Sequence, residues 1–190
     1  MNKNLWLLAA AQGFFLTNNV VFIAINGLVG LYLAPLAWMA TLPVMGYVLG
    51  GAMSTPLVAR TQALMGRKAS FQLGLVVAAL SALLCAYAAS ANNFWLLVIA
   101  TVVAGFYSAN AHLYRFAAAE LAAPAFKEKA VSLVLAGGLV GAVLGPNLAS
   151  ITKDWLATPF AAAYVSLAVV ALLARDVGDE GEAELGRGAV

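Results

Sequence analysis

Cysteine and charge are the scarcest features of this 190-residue chain. Cys85 is its single cysteine, which excludes an intrachain disulfide and a metal site built from several cysteines. Only 9% of the residues are charged, whereas about a quarter are charged in a typical soluble domain. The net charge is +2, and no basic cluster is dense enough to follow a phosphate backbone, so nucleic acid is not an expected partner.

Motifs of catalysis and cofactor binding are also missing from the sequence. It contains no Gly-x-Ser-x-Gly elbow, no pair of carboxylates inside an apolar run and no glycine-rich phosphate loop. Met39, Met45 and Met53 offer soft ligands, but their spacings of six and eight residues do not stack them on one helix face. Methionine usually fills gaps between helices. We therefore expect no enzyme, no cofactor and no bound metal.

Long apolar stretches dominate the sequence instead. Hydrophobic residues make up 64% of the chain, a composition typical of an integral membrane protein. A helix needs about 17 to 25 apolar residues to cross roughly 30 Å of hydrocarbon. The six candidate stretches are Leu5–Leu33, Trp38–Ala59, Ser70–Ala89, Phe94–Phe116, Lys129–Ser150 and Thr158–Ala174. The sequence therefore predicts an all-α integral membrane protein with six transmembrane helices.

The placement of positive charge predicts the orientation of these helices. Residues 32–37 and 88–93 form connections that carry no charge. The connections on the opposite side carry Arg60, Arg67, Lys68, Lys127 and Lys129. Because cytoplasmic loops are enriched in Lys and Arg, both termini are expected in the cytoplasm, with the chain in the cytoplasmic (inner) membrane. Residues 175–190 are acidic and glycine-rich, which predicts a disordered cytoplasmic tail after a membrane domain of residues 1–174.

Amide side chains recur along the first apolar stretch. Gln12, Asn19 and Asn26 are spaced seven residues apart, so they lie near one face of a helix. Amides in hydrocarbon are costly unless they find partners or a wet cavity. Two interpretations stay open, hydrogen bonds between helices and the wall of a substrate pathway.

The fourth stretch carries the most chemically varied face. Ser108, His112 and Arg115 follow one another at spacings of four and three residues, which places them on one side of a helix. His112 is either a proton carrier or substrate contact, or a neutral histidine that bonds another helix. Arg115 either joins this pathway or extends to the headgroups. Glu120 is a candidate ion-pair partner for Arg115.

A stripe of small residues marks the fifth stretch. Gly137, Gly141 and Gly145 are four residues apart, so they leave one helix face bare and allow another backbone to come close. Pro146 follows directly and is expected to kink the helix. The stripe predicts a helix-packing contact within the chain or an interface with a partner.

Three segments resemble the major facilitator superfamily. Gly141 to Ser150 is similar to the signature of its fifth helix, a glycine, three residues, Gly-Pro, two residues and two small residues. The loop motif Gly66-Arg67-Lys68 is similar to the end of the family's loop between helices two and three. Residues 114–120 followed by 126–129 resemble the end of helix four and the next loop in a group of bacterial members.

The resemblance implies one half of a transporter. Family members have twelve helices in two halves, and the substrate site lies between the halves, lined in the first by helices one and four. The chain resembles the first half over about residues 1–174, and helix five of that half faces the other half. We therefore expect a half-sized transporter of a small solute that needs a second copy, a separate half or a larger complex.

A non-transporting accessory subunit of a larger membrane complex is the alternative. Ala63 stands where the family has an aspartate before the loop glycine, and Thr101 stands where many antiporters have an arginine. Both departures favour loss of transport with retention of the fold.

Overall fold

The computed structural model describes residues 3–122, 126–152 and 161–187, without the side chains of 3–5, 7, 121, 146, 148–150, 152 and 176–187. The described chain is all-helical. Its helices are α1 (Lys3–Leu33), α2 (Leu42–Ser90), α3 (Phe94–Ala111), α4 (Tyr114–Leu121), α5 (Lys127–Thr152) and α6 (Ala161–Arg187). A short 3-10 helix, Ala37–Thr41, precedes α2.

Several helices have the length and composition of membrane spans. Within the described residues, four stretches are long and apolar enough to cross a bilayer: Leu8–Leu33, Ala37–Ser90, Phe94–Glu120 and Lys127–Gly145. Ala161–Arg175 is a shorter apolar helix. The prediction of an all-α membrane protein is confirmed at this level. The predicted start of the sixth stretch, Thr158, lies outside the described residues.

Helix α2 is not one straight helix. Its 49 residues would extend about 73 Å, more than twice the hydrocarbon thickness. Gly66 interrupts it with φ 82° and ψ 163°, a backbone conformation that side chains disfavour and glycine tolerates. The hydroxyls of Thr61 and Ser70 are 2.9 Å apart, although nine residues of straight helix span about 13 Å. The chain therefore folds back at Gly66, between a first arm (residues 42–65) and a second arm (residues 67–90).

Contacts along α3 show that the two arms run in opposite directions. In the first arm, Gly46 approaches Thr101 and Gly51 approaches Gly105, so this arm runs parallel to α3. In the second arm, Gly74 approaches Asn110, while the end of the arm joins the start of α3 through a tight turn. This arm is therefore antiparallel to α3.

Contacts along α1 set the directions of the last two helices. Gly137 of α5 approaches Ala9, and Gly145 approaches Thr17, so α5 runs parallel to α1. Asn18 bonds the backbone of Leu167, whereas Asn26 bonds Tyr164, so α6 runs antiparallel to α1. Tyr47 of the first arm bonds Asn19 and Pro43 lies near Gly30, so the first arm is also antiparallel to α1. In the described chain, successive long segments thus alternate in direction.

The structure differs from two sequence predictions at helix ends. Helix α6 continues to Arg187, past Ala174, at which the sequence predicts the end of the sixth apolar stretch. Ala183 and its glutamate neighbours favour helix formation even where the composition is acidic. The predicted fourth stretch is divided by a turn at residues 112–113 into α3 and α4, and both parts keep one approximate course because His112 and Leu113 retain helix-like dihedral angles.

Candidate functional site

A group of polar side chains joins α1, the first arm and α3. The Tyr47 hydroxyl donates a hydrogen bond of 2.8 Å to Oδ1 of Asn19, and Ser108 lies near the same hydroxyl. Tyr47 and Ser108 are buried, and Asn19 is half-buried. We call Asn19, Tyr47 and Ser108 the polar cluster. It links three separate segments through one tyrosine.

An aromatic row lies next to the polar cluster. The Phe15 ring meets Tyr107 edge-on at a centroid distance of 5.5 Å and meets His112 in the same way at 5.3 Å. Phe15 and Tyr107 are buried, whereas His112 is exposed. Phe15 lies one turn before Asn19 and His112 one turn after Ser108, so the aromatic row and the polar cluster form adjacent layers between α1 and α3.

The polar face of α3 and α4 becomes more exposed towards Arg115. Ser108 is 9% exposed, and both His112 and Arg115 are exposed. The Arg115 guanidinium lies 5.1 Å from the ring centroid of its neighbour Phe116, a cation–π contact. This gradient leads from a buried hydroxyl to an exposed cation, with an imidazole between them.

The arrangement can form hydrogen bonds with polar groups. Asn19, Ser108 and His112 offer hydrogen-bond donors and acceptors, whereas Phe15 is fully buried. Within the described residues no group of three metal-ligating side chains converges.

The other predicted amides of α1 lie outside this site. Asn26 is fully buried; its Oδ1 accepts a 2.7 Å bond from Tyr164, and its Nδ2 donates to the Phe22 carbonyl. Gln12 is 7% exposed and packs against Gly138 of α5. For Asn26 the geometry corresponds to a hydrogen bond between helices.

The glycine stripe packs against α1 of the same chain. A Cβ on Gly141 would lie 1.9 Å from the Gly13 carbonyl oxygen, and one on Gly137 would lie 2.2 Å from the Ala9 carbonyl oxygen. The Thr17 hydroxyl donates to the Gly141 carbonyl at 3.0 Å. Helix α1 of the same chain therefore packs against the bare face formed by Gly137, Gly141 and Gly145. The side chain of Pro146 lies outside the described part of α5.

The loop motif forms an ion pair that the sequence did not predict. Arg67 donates two hydrogen bonds to the Glu120 carboxylate, at 2.5 and 2.6 Å. The prediction that Glu120 pairs with Arg115 is therefore wrong. The turn at Gly66 brings Arg67 to the end of α4 instead. Lys68 is exposed beside it. The ion pair joins two residues that are 53 positions apart in the sequence. It lies at one end of the bundle.

Sequence reasoning also missed two buried polar residues. Tyr47 stands beside Gly46 in a glycine-rich segment, and this neighbouring glycine was the one available signal that the tyrosine faces another helix. Asn110 is fully buried and accepts a 2.8 Å hydrogen bond from Ser70, which in turn contacts Thr61. This chain of three side chains ties both arms of α2 to α3.

Comparison with known proteins adds a family and two relatives. Residues 5–184 match the model of the Major Facilitator Superfamily. The chain is 35% identical over 176 residues to the riboflavin transporter RfnT of Brucella anthropi, a match that covers 92% of this chain and 44% of that protein. It is 27% identical over 146 residues to the uncharacterized MFS-type transporter YddS of Bacillus subtilis, covering 71% of this chain and 34% of that protein. The chain thus spans less than half the length of these curated relatives.

Proposed function

The chain belongs to the major facilitator superfamily, and on that premise we propose that it forms one half of a secondary transporter for a small solute. The observation that carries the proposal is the alternating course of its helical segments, together with a match to 44% of a full-length transporter. A transporter of this family acts through two such halves around a central site.

The proposed half crosses the membrane six times. α1, the two arms of α2, the α3–α4 segment, α5 and α6 would each make one crossing. Each arm of α2 has about 24 residues, or roughly 36 Å of helix, enough for one crossing. An even number of crossings places both ends on one side, and the positive loops assign that side to the cytoplasm of a cell with an inner membrane.

The second half would contact the outer side of α5. Of the four candidate spans, the one in α5 is the least buried. Within its apolar 18-residue stretch 28% of the residues are buried inside the bundle, against 50–56% in the other three spans. Leu139 and Val143 are among its exposed apolar side chains. A second copy, a separate polypeptide or further residues of the same polypeptide would supply the facing half.

The polar cluster and the aromatic row form this half's contribution to the solute pathway in our proposal. Asn19 and Ser108 would bind polar groups of the solute, and His112 and Arg115 would face the opening of the pathway. Riboflavin, named for the relative from Brucella anthropi, is the first solute to test, because its polar groups can bond the amide, hydroxyl and imidazole of this site.

Uptake in membrane vesicles tests the proposal. Vesicles containing the chain at its native level are expected to accumulate riboflavin faster than vesicles without it. Asn19→Ala, Ser108→Ala and His112→Ala should each lower the uptake rate about tenfold or more, as expected when a site group that bonds the solute is removed. Tyr87→Phe, at a tyrosine that is 64% exposed, serves as the matched control.

The outcomes separate the parts of the proposal. Normal uptake by all three alanine variants would contradict the assigned pathway. Equal riboflavin uptake with and without the chain would contradict riboflavin as the solute. A defined larger complex without uptake of any tested solute would favour the accessory-subunit alternative, and full uptake by chains shown to be lone monomers would contradict the need for a second half.

A further inference from the structure

A groove runs along the outer side of the bundle, away from the candidate site. It has a volume of about 650 Å³ and is bordered by α1, α5 and α6. Ala10 and Gly13 of α1 lie along its floor, Val140 and Leu144 of α5 form one wall, and Val170 of α6 borders the other side. Small residues of α1 leave room between α5 and α6, and Trp6 and Phe14 of the same helix also line the groove.

The groove offers almost no polar group to a ligand. Two of its lining residues, Thr17 and Asn147, carry a hydroxyl and an amide, and both groups bond the backbone of the chain. Thr17 donates to Gly13 and Gly141, while Asn147 donates to Val143 at 2.8 Å. A polar solute therefore gains little here, whereas a hydrocarbon chain is suited to these walls.

The length of the groove suits one acyl chain. Its α5 wall extends from Gly137 to Ile151, which is about 21 Å of helix. One leaflet contributes roughly half of the 30 Å hydrocarbon core, so an extended acyl chain entering from one face is covered over its length.

An indole lines one end of the groove, and a cation lies beyond that end on the same face of α5. Lys129 is exposed at the start of α5, and its spacing of 11 and 15 residues from Val140 and Leu144 places it on the side of α5 that forms the wall. Lys127 lies about 200° further round the helix. Trp6, at the same end, lines the groove and is 56% exposed, as is common for tryptophan at headgroup level.

We propose that this groove binds an anionic phospholipid, with one acyl chain along α5 and the headgroup phosphate at Lys129. The complementarity lies in an apolar slot of acyl-chain length and in an exposed cation on the same face of α5, eight residues or about 12 Å before Gly137. The site is separate from the solute pathway and does not depend on what the protein transports.

Lipid retention measures this binding. The chain is taken from a membrane extract in mild detergent, exchanged with phosphatidylglycerol or phosphatidylcholine, and weighed by native mass spectrometry. We expect phosphatidylglycerol to be retained about fivefold more than phosphatidylcholine, the factor for one lysine near an anionic headgroup. Lys129→Gln should remove this preference, and the matched control Lys127→Gln should keep it.

A second pair of variants tests the slot. Val140→Phe fills the groove and should lower retention of both lipids, whereas Val143→Phe adds the same bulk to an exposed residue outside it. Equal retention of the two lipids by the native chain, or equal loss in Lys127→Gln and Lys129→Gln, would overturn the headgroup assignment. A Val140→Cys chain that cross-links to a second copy and retains no lipid would overturn the proposal in favour of a protein occupant.

Discussion

Tyr47 is the residue through which α1, the first arm and α3 are joined at the polar cluster. Tyr47→Phe removes the donor to Asn19 Oδ1 and keeps the ring that packs against Phe22. We expect the free energy of unfolding to fall by about 0.6–1.5 kcal/mol, the usual value of a hydrogen bond between helices. Unfolding in a detergent titration measures this, with the exposed Tyr87→Phe as control; equal changes in the two variants would contradict the assigned bond.

Arg67 and Glu120 form an ion pair with side chains that are 42% and 63% exposed. Arg67→Glu is expected to lower the stability only slightly because exposed pairs are weakened by water. The exchange Arg67→Glu with Glu120→Arg should restore most of that loss, since the opposite charges meet again. A double-mutant cycle measures the coupling, and Arg60→Glu, which removes a positive charge from the same connection, controls for topology. No recovery in the exchanged pair would contradict the contact.

At the scale of elements, Gly50 and Gly105 set how closely the first arm approaches α3. A Cβ on Gly50 would lie 2.1 Å from the Val102 carbonyl oxygen, and backbone on the facing helix has little room to yield. Gly50→Ala should therefore destabilise the bundle by about 1–3 kcal/mol. Gly27→Ala is the matched control because nothing lies within 4 Å of its Cβ. Thermal unfolding compares the two, and an equal effect would contradict close packing at Gly50.

The turn between the arms depends on the backbone of Gly66. Nothing lies within 4 Å of a Cβ at this position, so the cost of Gly66→Ala comes from the dihedral angles alone, about 1–3 kcal/mol. Asn tolerates the left-handed helical region, but ψ is 163° here, so Gly66→Asn should cost about as much as Gly66→Ala. Thermal unfolding of both variants tests this, and rescue by asparagine would contradict the observed turn.

Sequence predicts the positions of the helices better than their ends. The first stretch was expected at Leu5–Leu33, and α1 is Lys3–Leu33, because a long apolar run is a local property. The second and third stretches were expected to stop at Ala59 and start at Ser70, yet helix continues to Gly66 from both sides. Apolarity indicates which residues suit hydrocarbon, and it does not indicate where helical hydrogen bonding stops.

The candidate site was predictable in part, for a related reason. Helical spacing placed Asn19 and Ser108 on faces of their own helices, and these two residues meet at Tyr47. Spacing contains no information on which helices become neighbours. It therefore missed Tyr47, and it paired Glu120 with the nearby Arg115 when the turn at Gly66 brings Arg67 closer.

At the scale of the whole molecule, the expected assembly is larger than one chain of 19.6 kDa. Leu139 on the outer side of α5 is 68% exposed, so a Leu139→Cys chain whose new thiol carries a photoreactive label should cross-link to the second half in native membranes. Leu80→Cys, at a 62% exposed residue of the second arm, should not. Cys85 is fully buried and adds no background. Cross-linking at both positions or at neither would contradict an interface along α5.

The amides of α1 have a consequence for the order of biosynthesis. Asn18 finds its acceptor 149 residues later in the chain, and Asn26 finds Tyr164 138 residues later. At a translation rate of about 5–20 residues per second, these partners emerge from the ribosome roughly 7 to 30 s after α1. During that interval α1 has polar groups without their final hydrogen-bonding partners in a medium that supplies none. Helix α1 can therefore reach its final place only after α6 has been made.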